Sequence, residues 1–196
     1  MSALDRREVV ARLLRDRGEA VVVTGLGNPT WDVAAAGDHA RNLYLWGAMG
    51  GAVAMALGLA LARPETPVWC VTGDGEMMMG LGSLAVAAQS APANLSILVL
   101  DNGEYGETGA QRAHTAAGAD LAAIARGCGI AAAVRVEDAA GLEALAHALA
   151  APGAGPRFAA IQVARGGGDK AAIRNALRDP AVNRARLREA LGLSVE

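Results

Sequence analysis

The sequence predicts an α/β fold, a doubly wound parallel sheet of about six strands with helices on both faces. Three observations carry that expectation. Short apolar segments such as Ala20-Val21-Val22-Val23 and Leu95-Ser96-Ile97-Leu98-Val99-Leu100 lack the alternation of half-exposed strands and read as strands buried on both sides. They alternate with helical segments along the chain, the order that builds βαβ units. Hydrophobic residues make up 53% but aromatics only 3%, with 25 glycines, so the core is built from small aliphatic side chains that let helices lie close to a sheet. At 196 residues the chain can bury such a core as a single domain over 1–196, with 165–196 a C-terminal arm and helix.

The first helix is expected over residues 3–17, where Leu4, Val9, Val10, Leu13 and Leu14 share a face and Gly18 ends the run. Ala20 to Val23 is the first strand. It enters Thr24-Gly25-Leu26-Gly27-Asn28-Pro29, where Thr or Asn as N-cap and Pro at the first helical position start a short helix near Thr30. Backbone N–H groups at such a start can hold an oxyanion. Strands then follow at 42–46, 68–72, 95–100, 132–136 and 158–163, and helices at 48–61, 80–90, 121–127, 139–150 and 180–191. The segments 150–156 and 164–168 are loops, and Arg165-Gly166-Gly167-Gly168-Asp169-Lys170 reads as an arm because it lacks Walker spacing.

Charge and composition narrow the function. Net charge is −2 and no basic stripe appears, so nucleic acid and anionic membranes are not expected partners. Cys70 and Cys128 are the only cysteines, without metal-site spacing; both are expected as thiols in a reducing cytoplasm. The N-terminal 20 residues carry no secretory apolar core. Leu43 to Ala62 is free of charge over 20 residues, but Gly47, Gly50, Gly51 and Gly58 interrupt it and Arg41 and Arg63 flank it. A strand, a glycine turn and a buried helix are expected there in place of a membrane span.

The chemistry is concentrated in two acidic or amide residues. Asp74 lies in Gly73-Asp74-Gly75 after the apolar Pro67 to Thr72, and Asn102 follows Leu95 to Leu100, 28 positions on. Both fall at carboxyl ends of expected strands, where ligands bind on parallel sheets. One carboxylate and one amide side by side suit Mg²⁺, which takes oxygen ligands from one or two side chains, phosphates and water.

This arrangement resembles the signature of the thiamine diphosphate (ThDP) enzymes, a GDG triplet and then an asparagine pair. Twenty-five residues, Glu76 to Leu100, separate Gly75 from Asp101, which replaces the first asparagine. The resemblance implies Mg²⁺ held by the side chains of Asp74 and Asn102 and the backbone carbonyl of Glu104. It also implies ThDP contacts from Thr24, Gly25, Gly73, Gly75, Glu76, Asn102, Glu104 and Tyr105. Trp46-Gly47-Ala48-Met49-Gly50-Gly51 is similar to the segment that seats the aminopyrimidine ring. Gly47 would accept a hydrogen bond from its amino group, and Met49 would be the apolar wedge that bends the cofactor, a task suited to an adaptable thioether.

Within the family, residues 5–165 look like the free-standing diphosphate-binding chains of the sulfopyruvate decarboxylase β-subunit type and the C-terminal half of phosphonopyruvate decarboxylases. Gly82-Ser83-Leu84-Ala85 and Thr108-Gly109-Ala110-Gln111 add to the match, with Ala110 in place of a family glycine. The implied activity is decarboxylation of a small 2-oxo acid to CO₂ and an aldehyde. A glutamate that the family places beside the pyrimidine belongs to a separate domain, so the resemblance implies a pyrimidine-binding partner subunit and an α₂β₂ or larger assembly, joined by the helices after Met49 and Gly80. Met49, His39 and Glu104 are the candidate catalytic side chains; Tyr105, Glu107 and His114 are candidates to line the pocket or its lid, and His147 is expected at the surface. Carboligation or acyl transfer, as in acetolactate synthase-like proteins, and a non-catalytic ThDP-binding scaffold stay open beside it.

Overall fold

The computed structural model describes residues 3–47, 49–151, 153–166 and 178–194. Its centre is a six-stranded parallel sheet made of β1 (Val21–Thr24), β2 (Asn42–Tyr44), β3 (Val68–Gly73), β4 (Leu95–Asp101), β7 (Ala132–Val136) and β8 (Arg157–Gln162). A short antiparallel hairpin, β5 (Glu104–Tyr105) with β6 (Gln111–Arg112), follows β4. Neither hairpin strand was expected from the sequence, because two-residue strands leave no periodic trace. The order is β2-β1-β3-β4-β8-β7. The chain leaves β1 for one side and returns on the other, so the winding direction reverses between β1 and β3. A crevice opens at the carboxyl ends there.

Helices cover both faces, as predicted. One face carries α1 (Arg6–Arg15), α2 (Asn28–Ala35) and α7 (Ala139–Leu149), packed through Val9, Leu13, Trp31, Leu142 and Leu145. The other carries α3 (Ala52–Ala62), α4 (Asp74–Met79), α5 (Gly82–Ser90) and α6 (Leu121–Gly127), joined by Leu187 of α8 (Pro180–Ala190). Alanine dominates this second layer, and Ala52, Ala56, Ala60, Ala87, Ala122 and Ala125 are buried. Here the low aromatic content has its structural counterpart.

Several boundaries move for local reasons. Asp5 accepts hydrogen bonds from Arg7 and Glu8 N–H at 2.8 and 3.0 Å, so α1 starts at Arg6 and not at residue 3. Gly27, with φ +105°, is the N-cap of α2 in place of Thr24 or Asn28. Gly47 and Gly50 hold φ of +79° and +94°, a left-handed backbone that delays α3 to Ala52. Gly73-Asp74-Gly75 is not a free turn: β3 runs straight into α4, with Asp74 in its first turn. The uncharged stretch Leu43 to Ala62 divides into β2, turn and α3, and no helix among the described residues is long and apolar enough to cross a membrane. Most of the expected arm from Arg165 to Lys170 lies outside the described residues.

The last helix does more than extend the chain. Buried Asn183 donates to the Tyr44 carbonyl at 2.8 Å, and Arg186 bonds Asp38 at 2.6 Å and the Asn42 carbonyl at 3.1 Å. α8 thereby covers β2, the edge strand, whose groups would otherwise face solvent.

Candidate functional site

A cleft of about 680 Å³, open to solvent, lies over the carboxyl ends of β1, β3 and β4. Asp74, Asn102 and Glu104 line it together, so the sequence-predicted metal ligands converge. Asp74 is buried, and its Oδ2 accepts the Thr115 hydroxyl at 2.7 Å. Burial pushes its carboxyl up to about 6, the Thr115 bond opposes the rise, and the nearby Asp101 charge adds to it. Asn102 Oδ1 accepts the Glu104 N–H at 3.0 Å, an Asx turn that uses one of two lone pairs. The same turn brings the Glu104 main chain to the cleft.

These donors fit Mg²⁺. They are hard oxygens from one carboxylate, one amide and one main-chain carbonyl. Among the described residues no cluster of three His, Cys, Asp or Glu side chains forms a metal site. Among the described residues the lining holds one guanidinium, Arg6, against the carboxylates of Asp32, Asp74, Glu76, Glu104 and Glu107, a balance that favours cations over free anions.

The opposite wall is the start of α2. Leu26, Gly27, Asn28 and Pro29 line the cleft, and no side chain caps the helix, which leaves first-turn N–H groups for an oxyanion. Thr24 and Gly25 stand behind this wall. Buried Thr24 shares a 2.9 Å hydroxyl bond with Thr30, whose hydroxyl also donates to the Gly25 carbonyl. Gly73 and Gly75 face the cleft; a Cβ on Gly75 would lie 2.5 Å from the Tyr105 ring. Met49 lines the cleft with 39% of its surface exposed, whereas Gly47 is exposed and outside the lining.

The hairpin closes one side. Glu107 accepts the Trp31 indole N–H at 2.8 Å, and Gly106 packs flush on Asn28, where a Cβ would meet Nδ2 at 2.6 Å. Tyr105 and His114 pair edge-on with 3.2 Å between hydroxyl and Nδ1. The Glu104 carboxylate turns toward Gly166, whose N–H reaches it at 3.4 Å.

One expectation needs correction. His39 is exposed beside the start of β2, at the amino end of the parallel sheet and opposite the cleft, so it is not a candidate proton donor in this chain. Glu76 lines the cleft, but its carboxylate is taken up by the protein: Thr72 donates to it at 2.6 Å and Gly50 N–H at 3.2 Å. Three residues escaped the sequence reading. Arg6 is buried in the cleft wall, paired with buried Asp32 at 3.0 Å. Its place on the apolar stripe with Val9, Val10 and Leu13 was the available signal. Thr115, the partner of Asp74, had none.

Comparison with known proteins identifies the family. A family model described as the thiamine pyrophosphate enzyme C-terminal TPP-binding domain matches residues 26–163. The β subunit of sulfopyruvate decarboxylase from Methanothermobacter thermautotrophicus is 36% identical over 85% of this chain and 85% of its own. Its counterpart from Methanocaldococcus jannaschii is 36% identical over 64% of this chain and 66% of its own. Phosphonopyruvate decarboxylase from Streptomyces viridochromogenes is 42% identical over 78% of this chain, which spans only 37% of that enzyme. Among solved structures, the thiamine diphosphate-dependent 4-hydroxybenzoylformate decarboxylase of Rhodococcus jostii superposes with a TM-score of 0.67 at 25% identity, over 86% of this chain and 34% of that one.

Proposed function

Because the chain belongs to the thiamine pyrophosphate enzymes, through their C-terminal TPP-binding domain, we propose that it is the ThDP- and Mg²⁺-binding subunit of a heteromeric 2-oxo acid decarboxylase. The observation that carries this reading is the convergence of Asp74, Asn102 and Glu104 on one cleft. Asp74 and Asn102 would hold the metal, the uncapped start of α2 would receive the diphosphate, and Met49 would pack against the cofactor. ThDP, when bound, supplies the electron sink that makes loss of CO₂ feasible. The chain's own residues would position it, hold the divalent ion that offsets its charge, and shield one side through the hairpin.

The substrate class is a short 2-oxo acid with an anionic tail, in line with the sulfopyruvate and phosphonopyruvate enzymes it resembles. The partner subunit supplies the glutamate beside the pyrimidine, since the carboxylates lining the cleft sit at the diphosphate end or are taken up by protein contacts. Exposed apolar side chains on one layer support that partner: Met55 and Leu61 of α3, Met79 at the end of α4 and Val86 of α5 are 47–60% exposed. An α₂β₂ or larger complex would bury them. The free thiols of Cys70 and Cys128 suit the cytoplasm proposed for it. The test is reconstitution with a pyrimidine-binding subunit, ThDP and Mg²⁺ on sulfopyruvate and phosphonopyruvate. Free aldehyde with one CO₂ per turnover supports the proposal; carboligation products alone, or no turnover on any 2-oxo acid, would overturn it.

A further inference from the structure

Resting on that reading, we propose that Glu76 is a positioning residue whose carboxylate clamps the Met49 turn to the helix carrying Asp74, fixing the distance between the pyrimidine and diphosphate ends of the cofactor. The side chain is 3% exposed. Its Oε2 accepts the Thr72 hydroxyl at 2.6 Å, and its Oε1 accepts the Gly50 N–H at 3.2 Å. Burial pushes the carboxyl up, while N–H groups of Gly50, Leu26 and Ala52 and the Thr72 hydroxyl favour its ionised form. The two hydrogen bonds join the turn before α3 to the end of β3 through one carboxylate.

The packing around the clamp is close enough to dictate neighbouring residues. A Cβ on Gly25 would lie 1.7–2.1 Å from the Glu76 carboxylate, and a Cβ on Gly80 would lie 2.2 Å from the Gly50 carbonyl oxygen. Position 25 is therefore glycine because an internal anion occupies the space of its side chain, not because of its backbone angle. The turn after β1 has a second tether in the Thr30 hydroxyl, which bonds both Thr24 and the Gly25 carbonyl. The Met49 turn depends more on Glu76, so removing the carboxylate releases the pyrimidine end and leaves the metal end in place.

Calorimetry on the full chain with two probes tests this: ThDP with Mg²⁺, which spans both ends, and pyrophosphate with Mg²⁺, which reaches only the metal end. Glu76→Ala is expected to weaken ThDP binding by roughly tenfold or more while pyrophosphate stays within about twofold, and Glu76→Gln is expected to recover most of the loss. Equal weakening of both probes, or of neither, overturns the proposal. Should Glu76→Ala not fold, Glu76→Asp, whose carboxylate stops one methylene short of the Gly50 N–H, carries the same comparison against wild type. If wild type binds neither probe, the cofactor reading fails instead, and the clamp is judged by thermal unfolding. Gly25→Ala is expected to lower Tm by roughly 5 °C in wild type and by little in Glu76→Ala, because the clash is gone. Equal losses in the two backgrounds would sink the clamp as well.

Discussion

Asp74 is buried and sits near Asp101, and its carboxyl rises to about 6. A raised carboxyl stabilises the fold while protonated, and that contribution is lost as pH climbs from the unfolded value through about 6. At neutral pH the ionised form therefore destabilises the metal-free chain, by on the order of 2 kcal/mol from the shift of about two units. Asp74→Asn is expected to raise Tm of the metal-free protein at pH 7.5 by roughly 5 °C, to flatten its pH dependence near pH 6, and to abolish Mg²⁺-dependent binding of ThDP. Differential scanning calorimetry from pH 5 to 8 checks the first two, and titration calorimetry the third. In wild type, Mg²⁺ affinity should fall as pH drops through about 6, since protons compete for the ligand. Ala110 gives a second prediction. It adopts φ +58° where the family has glycine, so Ala110→Gly should stabilise by about 0.5–1 kcal/mol in urea unfolding. Asp74 and Asn102 were legible because their spacing encodes two adjacent strand tips. His39 was misplaced although the rule was at hand: a residue just before a parallel strand lies at the sheet's amino end, away from the cleft.

The elements were legible where period and length were strong, and illegible where a few contacts decide the conformation. All six sheet strands and the long helices could be read as apolar runs and stripes. α4 and the β5–β6 hairpin could not, because they depend on tertiary partners: Gly75 against Tyr105, Gly106 against Asn28, and Glu107 on Trp31. The join between α1 and α2 is likewise tertiary. Arg6 and Asp32 form a buried pair at 3.0 Å, with Arg7 at 3.5 Å from the same carboxylate. Arg6→Met leaves Asp32 short of its main partner and is expected to destabilise by about 3 kcal/mol in urea, whereas Arg6→Met with Asp32→Leu should regain most of it. A double variant no better than the single one would contradict the pairing.

At the scale of the whole molecule, the proposed function makes the cleft the diphosphate end of a site completed by a partner, which would dock on the exposed apolar side chains of α3, α4 and α5. The sequence pointed to the helices after Met49 and Gly80 as the joining surface, but their nearly continuous apolar run did not tell exposed residues such as Met55 and Val86 from buried ones. Met55→Glu with Val86→Glu should prevent co-purification with the pyrimidine-binding subunit while leaving Tm of the chain unchanged, as sedimentation and calorimetry would show. The claim beneath all of this is that Asp74 and Asn102 share one divalent ion. Mn²⁺ and ThDP soaked into crystals of the chain, with data collected at the manganese edge, test it most directly. The account predicts one anomalous peak at roughly 2.1 Å from oxygens of Asp74, Asn102 and the Glu104 carbonyl. A peak elsewhere, or ThDP density with no ion beside Asp74, would contradict it.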